Sequence, residues 1–170
     1  MKGQIWVETV IYTLIGLALM GLVLAFVMPK INESKDRIIL QQTITSLNDI
    51  DEKINSVLQA TGNIRTLDLV MKRGELTFDA PNNKIIFTMP DSRVLFSEPG
   101  AEVNIGRIKI LTQEGAKVHA VSLTIDYSQN ITFNGRDILQ KLNQAPSPYK
   151  ISIEYRQSTD GQKFVNIATQ

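Results

Sequence analysis

The stretch from Thr9 to Met28, TVIYTLIGLALMGLVLAFVM, contains no charged residue. About 20 apolar residues, wound as a helix at 1.5 Å per residue, cross the hydrocarbon core of a bilayer. A secretory signal peptide is the main competing reading. Its apolar region runs roughly 7–15 residues and ends in small residues. The present run is longer and meets Met28, Pro29 and Lys30 with no Ala-x-Ala site, so we read it as a retained transmembrane helix. Residues 5 to 28 are almost all apolar and the remainder carries nearly all the charge. The average composition, which looks like that of an ordinary soluble protein, therefore conceals a membrane anchor followed by one polar domain.

The flanks of the run narrow the reading. The chain begins Met1, Lys2, Gly3, Gln4, Ile5, Trp6, Val7, Glu8. Glu8 sits at the lip of the apolar segment, where a carboxylate costs less than at the bilayer centre. With Trp6 and Tyr12 as interfacial aromatics, it lies in the headgroup zone; alternatively, another subunit supplies it with a positive partner. Within the run, Gly16, Ala18, Gly21 and Ala25 are small. Gly21 and Ala25 stand four apart, a spacing that lets helices approach closely, though glycine is common in membrane helices anyway.

Lys2-Gly3-Gln4, Glu8 and the long apolar helix together resemble the class III signal peptide of archaeal type IV pilins and pilin-like proteins. The resemblance covers about the first 30 residues. It implies a leader of residues 1–3, cut by a prepilin peptidase between Gly3 and Gln4. Glu8 would become the fifth residue of the mature chain and pair with the N-terminal amine of a neighbouring copy. It further implies an extracytoplasmic head and a cell-surface filament; no enzymatic activity is expected, because the sequence holds no recognisable active site. Counting charge alone, Lys30, Lys35 and Arg37 against Lys2 and the amine, would place the head in the cytoplasm. That rule weakens before a long domain, and the leader favours the outside.

Pro29 removes one helical hydrogen bond and usually kinks a helix. Beyond it, Leu40, Ile44, Leu47, Ile54 and Leu58 form one apolar stripe, interrupted at Asp51. We therefore expect a hydrophobic helix over 4–28, an amphipathic continuation over 29–60 closed by Thr61-Gly62-Asn63, and a strand-rich head over 63–170. From Asn63 the period becomes two. Strands are expected at 64–71, 75–79, 84–89, 93–97, 107–112, 117–127, 149–157 and 163–168, separated by Gly-, Pro- and Asn-rich turns. Short connections predict antiparallel pairing. Val121, Leu123, Ile125 and Tyr127 share one face, the buried one, which is expected to receive the helix stripe. Ile138, Leu139 and Leu142 predict a short helix within 134–142. The fold class is α+β, a long helix on an antiparallel sheet domain.

No catalytic constellation emerges. The single His119 lies in a strand and reads as a partly buried, satisfied residue. Zero cysteine excludes disulfides, Cys-based zinc sites and a cysteine nucleophile. No metal or cofactor is expected: Asp49, Asp51 and Glu52 read as a solvated helix face. A net charge of +1 leaves no basic footprint for nucleic acid. Of two N-x-[ST] sequons, Asn32 lies too near the membrane, and Asn130, in an expected loop, is the candidate glycosylation site. The expected partners are the membrane, a prepilin peptidase and further copies of the chain. The alternative is an uncleaved single-pass anchor whose head binds a ligand, sugar or protein.

Overall fold

The structure, a computed structural model, describes residues 2–169, with side chains from Trp6 to Thr169. A single helix, α1, runs from Lys2 to Val57, 56 residues, and passes through Pro29 without ending. It stops in a turn in which the Leu58 amide donates to Ile54 and the Asn63 amide to Ala60. Gly62 stands at φ +88, a left-handed conformation glycine adopts without a side-chain clash. Its amide donates to the Tyr155 carbonyl at 2.7 Å, and the Tyr155 amide donates back to Asn63. The end of the helix is thereby tied to the sheet at once.

Ten strands follow: β1 (Ile64–Leu69), β2 (Glu75–Asp79), β3 (Lys84–Ser92), β4 (Glu102–Ile105), β5 (Ile108–Gln113), β6 (His119–Asp126), β7 (Asn130–Phe133), β8 (Leu139–Asn143), β9 (Tyr149–Gln157) and β10 (Lys163–Thr169). They make two sheets. The larger has the order β4-β5-β6-β3-β2-β8 and is antiparallel throughout. The smaller has the order β1-β9-β10-β7, antiparallel except that β10 and β7 run parallel. The class is α+β, as the alternation of periods predicts.

Three expectations change. Residues 134–142 hold no helix: Asn134 and Gly135 have positive φ and make a turn, and β8 then pairs with β2, setting Leu142 against Leu76. Residues 93–97 form a loop, whose buried Ser97 exchanges hydrogen bonds with Thr112. The β7–β10 pair is parallel because β10 returns to it only after β8 and β9, a connection no local turn signal reveals.

Residues on the alternating inward positions of both sheets close one core with the lower half of α1. Leu40, Leu47, Ile50, Ile54 and Val57 come from the helix; Phe78, Ile85, Phe87, Ile110 and Leu123 from the larger sheet; Ile151, Ile153, Val165 and Ile167 from the smaller. Ile44 and Leu58 of the expected stripe are partly buried, while Ile50 and Val57 complete it. The helix lies against β1 and β9 on one side and β3 and β5 on the other. Each fully buried Leu, Ile, Val or Phe contributes about 1.5–3 kcal/mol relative to exposure, so the helix is an integral wall of the head.

Candidate functional site

Two regions of α1 have different surroundings. Between Trp6 and Met28, sixteen large apolar side chains are 40–73 % exposed. At about 1.5–3 kcal/mol each, leaving them in water would cost tens of kcal/mol, far more than a domain's net stability. The segment is long and apolar enough to cross a membrane. Glu8 is exposed on its first turns, with Trp6 and Tyr12 each 73 % exposed around it. Gly16, Gly21 and Ala25 are exposed too, and a Cβ added at either glycine would meet nothing within 4 Å. Gly3 and Gln4 lie outside the residues whose side chains are described.

The second region is the seam where the helix enters the head. Asp36 is 1 % exposed. Its carboxylate accepts from the Arg73 guanidinium, and its second oxygen accepts from the Arg93 amide at 2.8 Å. Arg73 also reaches the Asp91 carboxylate at 2.8 Å and the Asp91 carbonyl at 2.7 Å. One helix carboxylate thus fastens the β1–β2 turn and the loop after β3. These paired carboxylates hold the Arg73 guanidinium well above its ordinary value, with Asp91 the leading cause. Sequence reasoning passed over Asp36. The signal was its place four residues before Leu40, a charge on the apolar stripe.

Further along, Asp51 pairs with Arg107 at 2.7 Å and accepts from Asn55 at 3.1 Å. Arg107 lies over the Tyr127 ring, 5.1 Å from its centroid, and donates to the Asp126 carbonyl. The expected interruption of the stripe at Asp51 is therefore a second fastening. Tyr127 is 6 % exposed, and its hydroxyl is buried beside Asp51. Burial, reinforced by the nearby Asp51, pushes its ionisation far above the ordinary phenol range. Near the helix end, Arg65 donates to the Ser56 hydroxyl.

The remaining expected sites are dispersed. His119 is half-buried at the start of β6, opposite Ser92, and its Nδ1 has no protein hydrogen-bond partner, so it is not the satisfied residue expected. Asn130 is exposed, but it opens β7 beside Phe164 instead of lying in a loop. Its sequon partner Thr132 is buried and donates to Asn166. A cleft of about 300 Å³ opens over β1 and β9, lined by Thr66, Leu67, Asp68, Lys150 and Ile151. Its two titratable groups, Asp68 and Lys150, are cross-strand neighbours. Among the described residues, no group of three His, Asp or Glu side chains is placed to hold a metal ion.

Comparison with family models, with curated proteins and with solved structures finds no match.

Proposed function

We propose that this chain is a structural subunit of an archaeal type IV pilus-like filament, freed from a three-residue leader between Gly3 and Gln4 and polymerised through its apolar helix. The supporting observation is the uncovered half of α1, sixteen large apolar side chains that no other described residue buries. In the membrane, lipid solvates that surface; in a filament, the same surface of other copies does. The exposed Gly16, Gly21 and Ala25 permit close approach of neighbouring helices. Glu8 would lose hydration on assembly, and the amine of a neighbour's Gln4 would set axial register more than it would add stability. The head, closed on the lower half of the same helix, would form the outer sheath.

The test is to express the full chain with and without a prepilin peptidase, measure the intact mass from the membrane fraction, and image for filaments. A mature start at Gln4 together with filaments is the expected result. A chain that retains Met1 to Gly3 and stays monomeric in lipid overturns the proposal and leaves a single-pass anchor with a binding head.

A further inference from the structure

The lipid-proximal rim of the head gathers cations out of proportion to a chain of net charge +1. Lys30, Lys35 and Arg37 follow Met28 on the helix, at most about 14 Å of helical rise beyond it. Asp36 draws two head segments to the same level: Arg73 from the β1–β2 turn, and Arg93, whose amide it accepts, from the loop after β3. Three carboxylates share this level and each is engaged. Glu33 takes Lys30 at 3.0 Å, and Asp36 and Asp91 take Arg73. That leaves Lys35, Arg37 and Arg93 exposed, with no ion pair among the described residues.

Beside these cations the helix carries an open groove of about 430 Å³. Phe26, Val27, Ile31 and Ile38 give it an apolar floor, and Lys30 and Lys35 flank it. Ile31 and Ile38 are 41 % and 52 % exposed. The groove is continuous with the apolar face above it. Lys30 stands about 3 Å of helical rise beyond Met28, within the polar headgroup layer, and Lys35, about 10 Å beyond Met28, is at its outer side within reach of a long stem. An apolar floor that continues into the bilayer, with the unpaired Lys35 at its edge, fits a molecule with an acyl chain and an anionic head.

We propose that this rim is a binding surface for anionic lipid headgroups, with Lys35, Arg37 and Arg93 contacting the phosphate and the Phe26–Ile38 groove holding the adjoining chain. The proposal rests on the reading of residues 9–28 as a membrane span. It assigns the rim a role in the membrane-inserted subunit, before assembly: the headgroups hold the head against the bilayer surface. Long Lys and Arg stems lie along apolar surface while their heads reach the interface. Each such cation near an anionic surface adds roughly fivefold to the association.

The chain has no native cysteine, so Ser34→Cys gives a unique attachment point for a fluorophore at the groove. The full-length labelled chain is reconstituted in vesicles doped with a lipid carrying a nitroxide on either an anionic or a zwitterionic headgroup. The expected result is at least twofold stronger quenching by the anionic lipid at low salt. The preference should vanish in about 1 M salt, where screening acts within about 3 Å. It should also vanish in the Lys35→Gln, Arg37→Gln, Arg93→Gln triple variant and persist in Lys35→Arg. Far-ultraviolet dichroism of each variant monitors the fold. Equal quenching by both lipids overturns the proposal. So does quenching that depends on the protein-to-lipid ratio but not on lipid charge, which would make the groove an interface between copies. Failure of the chain to float with vesicles of either composition would overturn the membrane reading itself, a separate outcome.

Discussion

Among individual residues, Tyr127 and Asp36 are the most informative. The Tyr127 phenol is buried beside Asp51, and its ionisation is pushed far above the ordinary value near 10. The folded state therefore holds the proton more tightly than the unfolded state. Its contribution is fully present below pH 10 and is lost as pH rises beyond it, at about 1.4 kcal/mol per pH unit. The expected outcome is a urea midpoint that falls between pH 9 and pH 11 in the parent and falls less in Tyr127→Phe. At pH 7 that substitution should cost about 1 kcal/mol, the net contribution of one polar contact to Asp51. Asp36→Ala is different. It removes the acceptor of a guanidinium and of a buried-side amide, and hydrogen bonds to charged groups contribute about 1.5–3 kcal/mol. A loss of about 2–3 kcal/mol is expected in equilibrium unfolding, and Asp36→Asn, which keeps one acceptor oxygen, should lose less.

At the level of elements, the turn between β1 and β2 tolerates little. Gly74 has φ +84, and a Cβ there would stand 2.5 Å from the Phe87 ring and 2.8 Å from the Thr88 carbonyl. Both the backbone conformation and the space forbid a side chain. Gly74→Ala is expected to destabilise by about 2 kcal/mol or more, read as a lower thermal midpoint, since Phe87 is fully buried and cannot yield. Strands with one clean apolar face were legible in the sequence: β6 alternates Val121, Leu123, Ile125 as expected, and β2, β3, β5, β9 and β10 fall close to their expected bounds. Two of the misses share a cause, which is pairing at sheet edges. β4 exposes all four of its residues, so no burial pattern marks it. β8 places Ile138, Leu139 and Leu142 at a spacing that also suits a helix, but only Leu142 is buried, and β2 decides the matter by offering an unpaired edge. The 93–97 loop alternates like a strand, yet its polar groups are spent on Asp36 and Thr112. Within the candidate site, the apolar run and the positions of Glu8, Gly16 and Gly21 were readable from composition. The Asp36 and Asp51 fastenings were not, because each depends on an arginine far away in sequence, Arg73 or Arg107.

For the molecule as a whole, the split between an uncovered upper helix and a buried lower one makes two outcomes separable. Under the proposed filament function, Glu8→Ala leaves the apolar run intact, so membrane insertion should be unchanged while filament number, counted by electron microscopy after peptidase co-expression, falls at least tenfold. Unchanged filaments would reduce Glu8 to an interfacial residue. The lower half of the rod is a wall of the head's core, from Leu40 to Val57, and the upper half flows into it through Pro29 with no intervening loop. A helix of 56 residues measures about 84 Å. Membrane helices lean by about 20° on average, and a stiff lever of that length swings its far end by about 30 Å. A span leaning by that angle would set the head well to one side of the point where the rod enters the lipid, so that the angle of entry also decides which side of the head faces the bilayer.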